Sequence, residues 1–200
     1  MFIKQSVFEK QIKKSYKYHA LRIYKSIDDD LVIDTPSWTL AIHKDFISKE
    51  VKGALVKLVG DLPERTESIL YGEGAGQQYE MDTMVDTSIL NNDYTEDRGY
   101  SQYFVSSLTI EKIYRVIQSE GNDNTIRLYN QEHLNMIARN LVDTKAGETG
   151  VEGPISNDEG SSLRWYTNAG TLEIKRDISE NYTNELLELL KTIKLERYEE

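Results

Sequence analysis

The chain has 200 residues, 38% of them hydrophobic, and a formal net charge of −10. That length is enough to bury one stable core without covalent staples, and the lack of cysteine removes thiol nucleophiles, cysteine-based zinc sites and iron–sulfur ligation. No apolar run approaches the roughly 20 residues that span a bilayer, and the opening MFIKQSVFEKQIKK mixes charges with apolar residues, unlike a signal peptide; the expected setting is cytoplasmic.

Residues 1–16 read as a short basic helix. Up to residue 26, Lys4, Lys10, Lys13, Lys14, Lys17, Arg22 and Lys25 face only Glu9, a local +6 that leaves −16 for the rest of the chain. KYHALRIYK (17–25), DLVID (30–34) and SWTLAIHK (37–44) follow as three strands of a meander, punctuated by Asp28-Asp29 and Pro36. Val51, Ala54, Leu55, Leu58 and Val59 fall on one face of a helix ended by Gly60 and Pro63.

Strand signals continue at 66–72, 102–108, 112–119 and 124–129, with EGNDN (120–124) as a turn. A second helix is expected from Leu134, Ile137, Ala138, Leu141 and Val142, behind Asn130 as N-cap. The Gly-, Ser- and acid-rich stretch 144–162 reads as a flexible loop. A hairpin around Asn168–Gly170 then leads into a helix carrying Tyr182, Leu186, Leu187, Leu190 and Ile193 on one face. The expectation is a single α+β domain over 1–200. A mainly antiparallel twisted sheet would carry about three amphipathic helices and the basic N-terminal helix.

TLAIHKDF (39–46) and TLEIKRDI (171–178) share four of eight positions and each precedes a helix. Duplication would explain the match, and so would the common need of two strands to bury Leu and Ile on one face.

YGEGAG (71–76) lacks the Lys and Ser/Thr of a phosphate loop and carries Glu73, so it reads as a strand-to-strand connection. His19, His43 and His133 stand at no metal-binding spacing. The acidic 80–100 stretch lacks the residue order of an EF-hand. No metal site or cofactor is expected.

The order Asp158…Glu173-x-Lys175 resembles the Asp…Glu-x-Lys arrangement of the restriction-endonuclease-like nucleases. That resemblance implies Mg²⁺ held by Asp158 and Glu173, with Lys175 steadying the attacking water. Glu-x-Lys is also ordinary patterning on the solvent side of a half-buried strand.

From Asp61 to Asp97, ten carboxylates face Arg65 alone. Such a field repels nucleic acid and attracts basic protein surface. The candidate partner-binding residues are Tyr79, Asp82, Asp86, Asp93, Tyr94, Glu96, Asp97 and Tyr100, since tyrosines among carboxylates suit a protein interface. The expected function is a non-enzymatic acidic interaction protein that blocks a basic site on a partner. Inhibitors that mimic nucleic acid, such as the anti-defence or anti-CRISPR proteins of phages and plasmids, and immunity proteins are of this kind. The alternatives are the metal-dependent nuclease or phosphodiesterase and a phage or mobile-element regulatory or structural protein.

Overall fold

The structure is a computed structural model. It describes every residue except 75, 80–88, 90–93, 95–98, 122–123, 158–159, 177–183, 194 and 199–200, with backbone alone at 76–79 and 184. Helix α1 (Gln5–Lys17) precedes the meander β1 (Leu21–Lys25), β2 (Leu31–Asp34) and β3 (Trp38–Ile42). Then come α2 (Lys49–Val59), the hairpin β4 (Ser68–Gly72) and β5 (Gly76–Tyr79), and the meander β6 (Ser101–Ile110), β7 (Tyr114–Ser119) and β8 (Ile126–Asn130). The one-turn α3 (Gln131–Leu134), strands β9 (Glu152–Ser156), β10 (Ser162–Thr167) and β11 (Gly170–Lys175), and α4 (Asn184–Lys191) complete the described elements.

The eleven described strands form one sheet in the order β5-β4-β1-β2-β3-β11-β10-β9-β6-β7-β8, and every pairing is antiparallel. The fold is therefore α+β in the coarse sense, with more sheet than helix. No helix among the described residues is long and apolar enough to cross a membrane.

Period-two alternation splits the central strands between two faces. Leu21, Ile23, Ile33, Trp38, Leu40, Ile42, Leu163, Trp165, Leu172 and Ile174 lie in one buried cluster with Phe8 and Ile12 of α1 and Val51 and Leu55 of α2. Each fully buried aliphatic side chain of this kind contributes roughly 1.5–3 kcal/mol. Phe8 meets Trp38 edge to face at 6.2 Å between ring centroids, so the N-terminal helix is part of the core. Two of its lysines are paired as well, Lys10 and Lys14 reaching Glu132 at 2.8 and 3.6 Å.

Local chemistry sets the boundaries. Ser48 caps α2 by accepting from the Val51 amide, and Gly60 ends it at φ 87°. Thr35 accepts from the amides of Ser37 and Trp38 and turns the chain between β2 and β3. The glycines of YGEGAG close the β4–β5 hairpin, where Gly72 pairs with Gly76.

Two expectations need correction. The helix over 134–142 stops at Leu134, although Asn130 does cap it through the Glu132 amide. Past that turn the backbone bridges the N-terminus instead: Ile3 pairs with Ile137, Lys4 N–H donates to Met136 O, and Ala138 N–H donates to Phe2 O. Of the expected apolar face, Leu134 and Ile137 are buried and Leu141 is exposed, so the spacing recorded burial at its first two positions rather than a helix.

The 144–162 stretch, expected as a loop, contains β9, which lies between β10 and β6. It also carries Glu148, 4% exposed, whose carboxylate accepts from the Phe2 and Asp143 amides and the Thr167 hydroxyl. A buried carboxylate with that many donors fixes the surrounding chain.

Gly170 is required by close approach, because a Cβ there would stand 2.1 Å from the Ala41 carbonyl oxygen across the β3–β11 pair. Gly170→Ala is expected to destabilise the protein by about 1–3 kcal/mol, read as a lower urea midpoint at unchanged slope. At the β1–β2 turn, Arg65 and then Lys25 hold the Asp29 carboxyl down from the ordinary 3.8 to about 2. A folded-state pKa below the unfolded one adds stability above about pH 4 that is lost as pH falls toward 2. Asp29→Asn, which tolerates the turn's φ of 69°, is expected to narrow its stability gap to the wild type over that window in urea titrations.

Candidate functional site

On the face opposite α1 and α2, the registers line up Arg22, Asp34, Thr39, Glu173 and Arg164 across five adjacent strands. This row carries a hydroxyl at its middle, flanked on both sides by a carboxylate and then a guanidinium. Asp34 Oδ1 accepts from Thr39 Oγ1 at 2.6 Å and from Lys175 Nζ at 2.9 Å, while Asp34 Oδ2 stands 3.8 Å from Arg22. Glu173 Oε1 accepts from Arg164 Nε and Nη2 at 3.4 and 3.3 Å.

A second row, Tyr24, Val32, Ala41, Thr171 and Tyr166, runs beside it. Ile89 packs onto Val32 and Ala41. Tyr94 packs edge to face against Tyr166 and Tyr100, at 4.8 and 5.1 Å between centroids. Its hydroxyl donates to Ile89 O at 3.1 Å and shares a 3.3 Å hydrogen bond with Thr171 Oγ1. Residues 89 and 94 are thereby anchored on the sheet's outer face.

Arg164 ties the two rows together. Its Nη1 donates to Tyr100 Oη at 2.6 Å, and its guanidinium lies 5.5 and 5.7 Å from the Tyr94 and Tyr100 ring centroids. Burial works against the Arg164 charge, yet the Glu173 carboxylate and the two phenols outweigh it and raise its pKa. Burial raises the Tyr94 phenol, opposed by Thr171 and Arg164. Burial and then the Glu152 carboxylate, which accepts from Tyr166 Oη at 2.7 Å, raise Tyr166. The phenols therefore stay neutral at physiological pH and serve as hydrogen-bond donors and packing surface.

The expected site residues separate on this framework. Glu173 and Lys175 share a face as alternation requires, but each is engaged elsewhere, Glu173 by Arg164 and Lys175 by Asp34 and the Thr35 carbonyl. Asp158 lies outside the described residues, and no group of three His, Asp or Glu fit to hold a metal occurs among the described ones. Tyr94, expected on a partner surface, is only 9% exposed and serves as an anchor. Tyr100 is half-buried against Arg164. Tyr79 ends β5 opposite Ile69, and Asp82, Asp86, Asp93, Glu96 and Asp97 lie outside the described residues.

Asp34, Thr39 and Arg164 were not singled out in the sequence. Alternation puts each on the outer face and the hairpins pair Asp34 with Thr39 and Arg164 with Glu173, but the row is joined by Thr39–Glu173 and Lys175–Asp34, more than a hundred positions apart. Comparison of the chain with protein-family models, curated proteins and solved structures finds no match.

Arg164 and Glu173 expose only 12% and 14% of their side chains. Glu173→Ala leaves a buried guanidinium without its carboxylate and is expected to cost about 3–5 kcal/mol. Arg164→Met with Glu173→Leu removes both charges and is expected to recover most of that loss, as measured by urea unfolding of the three variants.

Proposed function

We propose that the protein is a non-enzymatic binding protein whose acidic segment around Glu80–Asp97 occupies a basic site on a partner protein. The anchoring of that segment carries this reading. Ile89 and Tyr94 are buried on the outer face, and Asp86, Asp93, Glu96 and Asp97 each stand within three residues of one of them in the chain. An acidic stretch tied down at intervals loses less conformational freedom on binding than a free tail, and more of its electrostatic attraction is kept as affinity.

The engagement of Glu173 by Arg164 and of Lys175 by Asp34 supports binding over catalysis, because both side chains already have structural work. A nucleic-acid-binding enzyme is the natural class of partner. Its basic groove is the surface that a run of spaced carboxylates fits. An inhibitor of a defence nuclease and an immunity protein against a toxin are the two forms such a protein takes.

Replacing Asp86, Asp93 and Asp97 by Asn and Glu96 by Gln together is expected to weaken capture of the basic partner about tenfold or more and to flatten its salt dependence, at about 0.2–1 kcal/mol per charge. Pull-downs from the native host at two salt concentrations, beside thermal melts that confirm folding, read this out. Undiminished capture would sink the assignment, and so would cleavage of DNA or RNA in Mg²⁺ that Glu173→Ala abolishes.

A further inference from the structure

A cavity of about 810 Å³ opens between the N-terminal end of α1, the 131–140 turn region, β6, β7 and the chain around Arg197. In a chain of net charge −10, its lining is basic: Lys4, Arg115, Arg139 and Arg197 face a single carboxylate, Glu120.

Arg197 pairs with Glu120 at 2.8 Å. Arg115 is only 7% exposed, yet its hydrogen bonds go to the carbonyls of Ser106 and Ser107, both at 3.3 Å, and its guanidinium stacks 4.2 Å from the Tyr198 ring centroid. Arg139 likewise donates to carbonyls, those of Val151 and Gly153. Among the described residues neither arginine has a carboxylate in ion-pair range, and Lys4 has none either. A buried guanidinium compensated only by neutral dipoles is costly, and native proteins normally pair such charges. Here the guanidinium that has no carboxylate partner among the described residues faces a cavity of the size that holds a small ligand.

The rest of the wall narrows the ligand's chemistry. Gln102, Gln131, Asn135 and Asn140 line the same space, and none of their side-chain amides makes a hydrogen bond among the described residues. Each offers a donor and an acceptor, the complement of a heterocycle's polar edge. Guanidinium planes and the half-exposed Tyr198 ring offer stacking surface. Converging cations, open amides and flat stacking groups together describe a site for an anion that carries a planar polar ring.

We propose that this cavity binds a small phosphorylated ligand of the nucleotide class, with Arg115 and Arg139 on the phosphate and the amides on the base. The acidic remainder of the protein does not prevent this, since exposed charges beyond about 8 Å are screened at physiological salt while the cavity's cations act at contact distance. No described residue of the acidic segment lines this cavity, and the inference stands whether or not that segment binds a partner.

Isothermal titration of the full-length protein with AMP, GMP, CMP and UMP tests it, with adenosine and ribose 5-phosphate as the two half-ligands. The expected result is one saturable site for at least one mononucleotide with Kd below about 1 mM, with both half-ligands at least about tenfold weaker. Arg139→Gln, at an exposed position, is expected to weaken binding about tenfold. Arg115→Gln should do the same where circular dichroism shows it folded, and Lys52→Gln on α2 should leave binding unchanged. The proposal is overturned by the absence of binding at 1 mM, by adenosine binding as well as AMP, by binding indifferent to Arg139→Gln, or by a single-stranded oligonucleotide binding where no mononucleotide does.

Discussion

The structure depends on one strand pair. Among the described strands, β3 and β11 join an N-terminal half of the sheet, β5-β4-β1-β2-β3, to a C-terminal half, β11-β10-β9-β6-β7-β8. The pair runs over five positions with Leu40 opposite Leu172. On one side it presents Trp38, Leu40, Ile42, Leu172 and Ile174 to the buried core. On the other it presents Thr39, Ala41, Thr171 and Glu173, the floor on which Ile89 and Tyr94 are held. Separating the pair would dismantle the core and the outer face together, which is why the close approach at Gly170 matters beyond its own turn. The Lys175–Asp34 bond beside it closes 141 residues of chain, so the join brings a large loop-closure entropy that the burial on both faces must exceed.

The two similar octapeptides, TLAIHKDF and TLEIKRDI, contain these partners. Thr39 lies opposite Glu173 and Ala41 opposite Thr171, a local two-fold arrangement about the Leu40–Leu172 pair. The same letters recur because neighbouring antiparallel strands at the centre of one sheet meet the same two environments. The helices that follow do not extend the symmetry. α2 packs into the main core, whereas α4 sends Leu190 against Val116, Ile126 and Leu128 on the far side of β7 and β8.

Local chemistry was the legible part. Alternation located β1, β2 and β3, the 3.6 period located α2, and the turn residues between Thr167 and Gly170 located the last hairpin. Non-local pairing overrode local pattern elsewhere. Leu134 to Val142 have helical spacing, but Ile137 is taken by a bridge to Ile3, so the α-helix gives way to a turn, that bridge and a short 3-10 turn at Arg139–Leu141. Glycines and carboxylates around 147–160 looked like loop composition, yet β9 supplies the bonds between β10 and β6. Tyr94 looked like interface chemistry because tyrosine is equally good at filling a pocket and presenting a surface. Its fate was set by Thr171, Tyr166 and Arg164, none near it in sequence.

Two arginines show how environment divides structural from functional charge. Arg164 and Arg115 are both largely removed from water, both lie against tyrosine rings, and both sit in strands of the same sheet. Arg164 has Glu173 directly across the strand pair and a phenol on its remaining nitrogen, so the protein itself completes its counterion shell. Arg115 sits opposite Thr109 and Tyr129, neither of which is charged, and makes its bonds to carbonyls. Such bonds orient a guanidinium without neutralising it. The first arrangement holds the Tyr94 anchor in place and gains nothing from a ligand. The second leaves a positive potential directed into a cavity, and an anion bound there supplies what Glu173 supplies to Arg164. The same reasoning separates two regions: in sequence, carboxylates dominate around Ile89 and Tyr94, while cations predominate in the described cavity lining around Arg115. On the proposed reading, an acidic chain that gathers Arg115 and Arg139 in one concave place, with no carboxylate partner for either among the described residues, concentrates its affinity for anions there.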